Sequence, residues 1–308
     1  MAIRIGVLGI GKIARDQHLP AIAAGPDFEL VACASRNAIV DGVDNFPTLE
    51  AMLDGRPDLQ AVVICTPPQT HFAAGRLALE RGKHVMLEKP PCATVTELGE
   101  LTALAARQGR TLYQSWHSRH AAAVEAARAR LAGRRIRKGR ISWREDVRQW
   151  HPGQAWIFEA GGFGVFDPGI NALSILTRIV DEPVFVTAAS LFMPANCEAP
   201  IAVDLGLATA SGARIAAAFD FRHTGEQHWD IEIDTDGPEL RLSGGGAALE
   251  VDGQPAPTGP HAGEYPELYS RFARLIADGA SDVDAAPFQL VADAFMVGRR
   301  FTVEPFHA

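Results

Sequence analysis

The chain has 308 residues, room for two ordinary domains each with its own core, and 29 Lys plus Arg against 37 Asp plus Glu leave a net charge of −8. An acidic balance argues against nucleic acid as a partner, because phosphate binding needs clustered Lys and Arg, and no apolar run reaches the length of a membrane span. The four cysteines, Cys33, Cys65, Cys92 and Cys197, form no C-x-x-C pair and two of them sit in apolar strand patterns, which predicts a reduced, cytoplasmic protein.

Residues 3–8 read as a buried strand leading into Gly9-Ile10-Gly11-Lys12-Ile13-Ala14, the G-x-G-x-x-G/A turn of a dinucleotide-binding βα unit. Gly9 permits the tight turn, and Gly11 lets backbone amides approach a pyrophosphate. Lys12 and Ile13 ride on the same turn, and Ala14 lets the next helix pack on the strand. The amino end of that helix faces the phosphates with its partial positive charge. Lys12 and Arg15 also interrupt the N-terminal apolar segment, which is too short for a signal peptide.

Further apolar runs at 28–34, 61–65, 84–87 and 111–115 alternate with amphipathic stretches such as 72–81 and 95–107. Such alternation predicts a parallel sheet with helices on both faces. The second run ends Cys33-Ala34-Ser35-Arg36-Asn37, with no carboxylate for a ribose 2′-hydroxyl. Ser35 can donate to a 2′-phosphate, and Arg36 can pair with it or stack on the adenine. NADP is therefore favoured, with NAD accepted because nothing repels it. Thr66-Pro67-Pro68-Gln69-Thr70-His71 follows the third run and Glu88-Lys89-Pro90-Pro91 the fourth. Both lie where doubly wound folds bind ligands, so Thr66, Pro67, His71, Glu88 and Lys89 are coenzyme-site candidates. Pro90 restricts Lys89 to extended backbone and allows a cis bond.

After a helical stretch at about 121–132 the pattern changes. Residues 136–147, 183–193, 199–209, 212–221, 228–235, 239–243 and 247–251 read as strands, separated by turn signals such as Gly225, Asp236-Gly237 and Gly244-Gly245-Gly246. A helix at about 168–180 interrupts them, and helices at about 265–278 and 287–299 close the chain. The prediction is an α/β first domain over 1–120, a doubly wound parallel sheet, and an α+β second domain over 121–308 with a large, mainly antiparallel open sheet. The outer face of that sheet offers a possible homodimer surface.

Polyol recognition needs hydrogen-bonding groups beside flat apolar surfaces. Three of the five tryptophans fall between 143 and 156, where Glu145 and His151 can each grip a hydroxyl and Trp150 offers a platform. Trp143 and Trp156 read as core, whereas Trp229 is open to either role. Asp167 precedes Pro168 at a predicted helix start, and Asn171 falls about one turn later on the same side. Asp167 is either a helix cap or a carboxylate facing a cleft. The ten histidines are scattered and His117 with His120 lacks a third ligand, so no metal is expected.

With these residues assembled, the chain resembles the glucose–fructose oxidoreductase / inositol dehydrogenase / rhizopine catabolism family of sugar dehydrogenases. The Gly9 to Ala14 turn, Thr66-Pro67-Pro68 with His71, Glu88-Lys89-Pro90, and Gly161-Gly162 before Asp167-Pro168-Gly169-Ile170-Asn171 carry the likeness. Within the family it looks most like the L-arabinose and D-galactose 1-dehydrogenases, through Lys12-Ile13-Ala14-Arg15-Asp16-Gln17-His18-Leu19-Pro20, Trp116-His117-Ser118-Arg119 and Trp150-His151-Pro152-Gly153-Gln154. The resemblance implies a Rossmann coenzyme domain, a Lys89 that touches both the nicotinamide ribose and a sugar hydroxyl, and a sugar pocket holding His117, Glu145 and His151. The wider family usually has a His where Asn171 stands, and an amide cannot be a general base; the sugar 1-dehydrogenase branch carries Asn there. The implied reaction oxidises the anomeric hydroxyl of a pyranose to a lactone, with Asp167 as base, Asn171 holding the sugar and Lys89 stabilising charge on oxygen. An inositol-type or other polyol dehydrogenase, and a non-catalytic regulator that binds NADP and sugar, are the alternatives.

Overall fold

The computed structural model describes residues 2–307 and divides them into two compact units. The first runs to Trp116 and takes back Ala262–Ala285; the second is His117–His261 with the residues from Ala286 onward. The helix Glu264–Asp278, expected in the second domain, thus packs on the first. Its reason is aromatic: Phe272 stacks on Phe28 and Tyr113 at 5.5 and 5.9 Å between ring centroids, and Tyr269 meets Phe28 edge-on at 5.5 Å.

The first unit is a parallel sheet of β1 (Ile3–Leu8), β2 (Phe28–Ala34), β3 (Asp44–Phe46), β4 (Ala61–Ile64), β5 (His84–Leu87) and β6 (Leu112–Gln114), in the order β3-β2-β1-β4-β5-β6. Helices cover the sheet, so its central strands are apolar along their length, as the fully buried β4 shows. The strand order reverses between β1 and β4, which places a crevice at their carboxyl ends. The helix that follows Gly11 contains a π-helical turn, Ala14–His18, before the α-helical Leu19–Ala24. Pro20 has no N–H to give the carbonyl one turn back, and the widened turn absorbs that loss. It leaves Ala14 and His18 facing inward, both fully buried.

The second unit is built on β7 (Ile136–Arg144), β8 (Val184–Pro194), β9 (Ala202–Thr209), β10 (Arg214–Asp220), β11 (His228–Thr235), β12 (Leu240–Ser243), β13 (Ala248–Val251), β14 (Gln254–Pro255) and β15 (Arg299–Val303). Their order is β14-β13-β12-β11-β7-β10-β9-β8-β15, antiparallel except for β7 with β10 and β8 with β15. The helix Phe166–Ile179 lies on one face of this sheet, buried along nearly its whole length. Gly169 makes that approach possible, since a Cβ there would fall 2.6 Å from the ring of Phe219 on β10. By register, Phe185, Ala188, Ser190 and Phe192 of β8 share the opposite face with Ala208, Gly206 and Asp204 of β9 and with Ala216 and Ala218 of β10. Among the described residues no helix is long and apolar enough to cross a membrane.

Candidate active site

Four strands of the first unit deliver the predicted coenzyme residues to one edge of the sheet. Gly9 follows β1 with φ at +90°, and its N–H donates to the Ala34 carbonyl at 2.9 Å. A Cβ on Gly9 would lie 2.8 Å from Thr66 Cγ2 and 2.9 Å from Thr66 N, so the turn after β1 and the loop after β4 touch through the missing side chain. Gly11 differs: a Cβ there would meet no protein atom within 4 Å. Packing does not demand that glycine, and the open space at the helix start fits a pyrophosphate. Lys12 is paired with Asp16 on the exposed side of the helix, and Ile13 is half-buried. Ser35 and Arg36 follow β2, the first half-buried and the second exposed. Thr66 is held by the Thr70 hydroxyl, which donates to its Oγ1 at 2.7 Å.

His71 and Glu88 are buried, and each is held by protein partners. The His71 ring is fully buried, with Nδ1 3.1 Å from the Pro91 carbonyl and Nε2 2.5 Å from that of Thr66. It clips the loop after β4 to the segment after β5. Burial lowers its pKa against the pull of those two carbonyls. Glu88 is 3 % exposed. Its Oε1 accepts from the Tyr265 hydroxyl at 2.8 Å and lies 3.1 Å from His18 Nε2, while its Oε2 accepts the Lys89 N–H at 2.7 Å. The other nitrogen of His18 is 2.9 Å from the Tyr269 hydroxyl. Nε2–H can donate to Glu88 while Nδ1 accepts from the Tyr269 hydroxyl, so both ring nitrogens have a partner. The Lys89–Pro90 bond is cis.

Sequence reasoning missed His18, Tyr265 and Tyr269, and also Gln114 and Ser115. The last two follow one another at the carboxyl end of β6, nearly fully buried, with both amide atoms of Gln114 and the hydroxyl of Ser115 lacking a protein partner. Orphaned polar groups beside β5 call for a ligand or water, and a nicotinamide carboxamide has the complementary donors and acceptors.

In the second unit Asp167 sits in the first turn of Phe166–Ile179, one residue inside the start, and is not its cap. Its own N–H donates to the Gly164 carbonyl at 2.9 Å. Gly162 and Gly164 explain the glycines before it: added Cβ atoms would strike the Ile157 and Pro200 carbonyls at 2.3 and 2.2 Å. Asp167 is 2 % exposed and Glu145, just past β7, is 4 % exposed. His151 lies between them, its Nδ1 3.7 Å from Asp167 Oδ2 and its Nε2 3.5 Å from Glu145 Oε1. The Trp229 indole N–H donates to the other oxygen of Glu145 at 2.8 Å, and the ring of Trp150 meets Trp229 edge-on at 5.3 Å. Trp143 is buried as expected of a core residue, while Trp156 is half-buried. Asn171 is half-buried one turn after Asp167, and His117 opens a short helical turn with its Nδ1 3.3 Å from Ser118 Oγ. Two buried carboxylates, an imidazole and an indole N–H thus face one another beside the exposed Trp150. Among the described residues no group of three or more His, Cys, Asp or Glu side chains is placed to hold a metal ion.

The family described as "Oxidoreductase family, NAD-binding Rossmann fold" matches residues 3–115. Galactose 1-dehydrogenase of Pseudomonas fluorescens is 46 % identical over 305 residues, 99 % of each chain. The crystal structure of a D-galactose-1-dehydrogenase protein from Rhizobium etli is similar at a TM-score of 0.94 and 54 % identity, covering 99 % of this chain and 98 % of that one. A 3-ketoreductase from Actinomadura kijaniata, solved with NADP and TDP-benzene, shares the fold at a TM-score of 0.85 and 20 % identity over 98 % of this chain and 100 % of that one.

Proposed function

The chain belongs to the glucose–fructose oxidoreductase / inositol dehydrogenase / rhizopine catabolism family of oxidoreductases with an NAD-binding Rossmann fold, and from that premise we propose that it is an NADP-preferring aldose 1-dehydrogenase acting on D-galactose and L-arabinose. One observation carries the reading: two buried carboxylates, Glu145 and Asp167, flank the His151 imidazole with the Trp229 indole on Glu145, a set of groups suited to a neutral polyol. The whole-length likeness to galactose dehydrogenases supports it. D-galactose and L-arabinose share the hydroxyl configuration at carbons 2 to 4, so one pocket accepts both.

Gly9, Gly11 and Ile13 would hold the pyrophosphate, Ser35 and Arg36 the 2′-phosphate, Thr66 and Pro67 the loop side of the dinucleotide, and Lys89 the nicotinamide ribose. When bound, the nicotinamide supplies the acceptor for the C1 hydride and its electron pair. Asp167 takes the proton of the C1 hydroxyl, which the ring oxygen makes more acidic than an ordinary alcohol. Asn171 holds that oxygen by donating and accepting hydrogen bonds, and the Lys89 ammonium stabilises the charge that develops on it. Glu145, His151 and His117 grip the remaining hydroxyls, with Trp150 and Trp229 as flat walls. The product is the aldonolactone.

The test is a panel of aldoses with NADP and NAD, followed by absorbance of the reduced nicotinamide. Galactose and arabinose should be oxidised, and Asp167→Ala should cut kcat by about 10²-fold or more with coenzyme affinity nearly unchanged. Tight NADP binding without turnover of any sugar would favour the regulator instead. The flat face bearing Phe185, Ala188, Gly206 and Ala216 is the surface through which we propose that two copies pair, and sedimentation would show a monomer if that is wrong. Four free cysteines, Cys33 and Cys92 buried, support a reducing, cytoplasmic setting.

A further inference from the structure

The reaction proposed above releases one proton per turnover. The C1–H pair departs as hydride, the O–H bond breaks, a C=O bond forms, and the proton on Asp167 must leave before the next cycle. Asp167 cannot hand it to bulk water directly, because it is 2 % exposed. In this unit the His151 imidazole lies beside it, with Nδ1 facing Asp167 Oδ2 at 3.7 Å. The far nitrogen of the same ring faces Glu145 Oε1 at 3.5 Å, and the His151 side chain is 16 % exposed, more than either carboxylate. The two gaps exceed hydrogen-bond length by a few tenths of an ångström, and catalytic hydrogen bonds are commonly long until substrate binds. Ring and carboxylate are otherwise well held. The His151 backbone N–H donates to the Val147 carbonyl at 2.8 Å, Phe221 packs against the imidazole at 5.5 Å, and Trp229 donates to Glu145.

We propose that His151 is the proton exit of this site, a relay from Asp167 to water. The inference rests on Asp167 being the base. The O–H bond of protonated Asp167 breaks as an N–H bond forms at Nδ1 of the neutral ring. The imidazolium so made lies between two carboxylates, Asp167 again ionised and Glu145, which stabilise it in transit. Loss of a proton to water at the exposed edge returns the ring to its starting state. Glu145 thereby gains a purpose beyond gripping a hydroxyl: it is the counter-charge of the relay.

The experiment compares wild type, His151→Ala and His151→Gln with NADP and galactose, with and without added imidazole against sodium chloride of equal ionic strength. Sugar affinity is read in parallel from quenching of tryptophan fluorescence. His151→Gln, which can still hold a hydroxyl, should bind galactose within about threefold of wild type and His151→Ala more weakly, while kcat of both falls about 10²-fold. Imidazole should restore His151→Ala in proportion to its free-base concentration and leave His151→Gln, whose side chain fills the space, unaffected. The relay is refuted if His151→Gln keeps kcat within about threefold, because glutamine can hold a hydroxyl but cannot carry a proton. A natively folded His151→Ala that imidazole fails to rescue, or a raised KM with kcat unchanged, refutes it equally. Should His151→Ala not fold, kcat of His151→Gln decides. A wild type inert toward every aldose removes the functional reading and the relay with it; an active wild type with any of the preceding outcomes removes the relay alone.

Discussion

Replacing His18 by leucine should be among the most damaging single changes in the first unit, although His18 touches neither ligand in the proposed reaction. The imidazole makes two buried contacts, 3.1 Å to Glu88 Oε1 and 2.9 Å to the Tyr269 hydroxyl. A hydrogen bond to a charged group contributes about 1.5–3 kcal/mol, and Glu88 would keep only its donors from Tyr265 and Lys89 among those described above. The Tyr269 hydroxyl, buried and robbed of its partner, would add about 1–3 kcal/mol. A combined loss of about 3–5 kcal/mol is a large part of the roughly 5–15 kcal/mol that holds a domain folded. Tyr269→Phe alone should cost about 1–2 kcal/mol, since it strands the His18 Nδ1. The double variant has no hydroxyl left to strand, so its loss should fall short of the sum by about 1 kcal/mol or more. Urea titration followed by circular dichroism measures all four corners of the cycle. A His18→Leu loss below about 1 kcal/mol, or additivity within about 0.5 kcal/mol, would refute the network as a cooperative unit.

The two glycines of the coenzyme turn should part company. Gly9→Ala must accommodate φ of +90° and a contact at 2.8 Å, so thermal stability and coenzyme affinity should both fall; Gly11→Ala opens on empty space and should weaken only coenzyme binding, about tenfold or more, in a fluorescence titration. Arg36→Ala should lower kcat/KM for NADP by about 10–100-fold and leave that for NAD nearly unchanged, comparing initial rates with each coenzyme. Stability should fall at both ends of the pH scale. Burial pushes the Cys33 thiol up to about 11 and raises the Tyr265 and Tyr269 phenols, so the unfolded chain releases those protons first. Their contribution is whole below the ordinary thiol value of 9.0 and shrinks as pH rises toward 11. The buried His71 has the opposite sign, its contribution whole above 6.5 and shrinking as pH falls below it. Urea midpoints measured across pH should show both limbs, and His71→Gln should flatten the acid one.

What could be read from the sequence depended on which forces wrote it. The central strands β1, β2, β4 and β5 are buried on both faces, and that burial demands the apolar runs that betrayed them. The strands that escaped notice are β3, β14 and β15, every one at the edge of its sheet. An edge strand is held by backbone pairing on one side and faces water on the other, so Asp44-Asn45-Phe46 and Arg299-Arg300-Phe301 suffice and carry no periodic signal. The site divides along the same line. The candidates Gly9, Gly11, Thr66 and Lys89 of the first unit, and Asp167 and Asn171 of the second, stand in short motifs that sequence spacing exposes. The cluster that braces Lys89 is assembled from partners 70, 177 and 251 positions apart, and nothing near His18 in the chain hints at Glu88 or the two tyrosines. A helix returning from residue 264 supplies both phenols, and a π-helical turn forced ahead of Pro20 aims the imidazole inward. Chemistry that must touch a ligand leaves a local mark, because the ligand constrains several adjacent residues at once. The scaffold that aims it answers only to distance in space, and any chain path that brings donor to acceptor will serve.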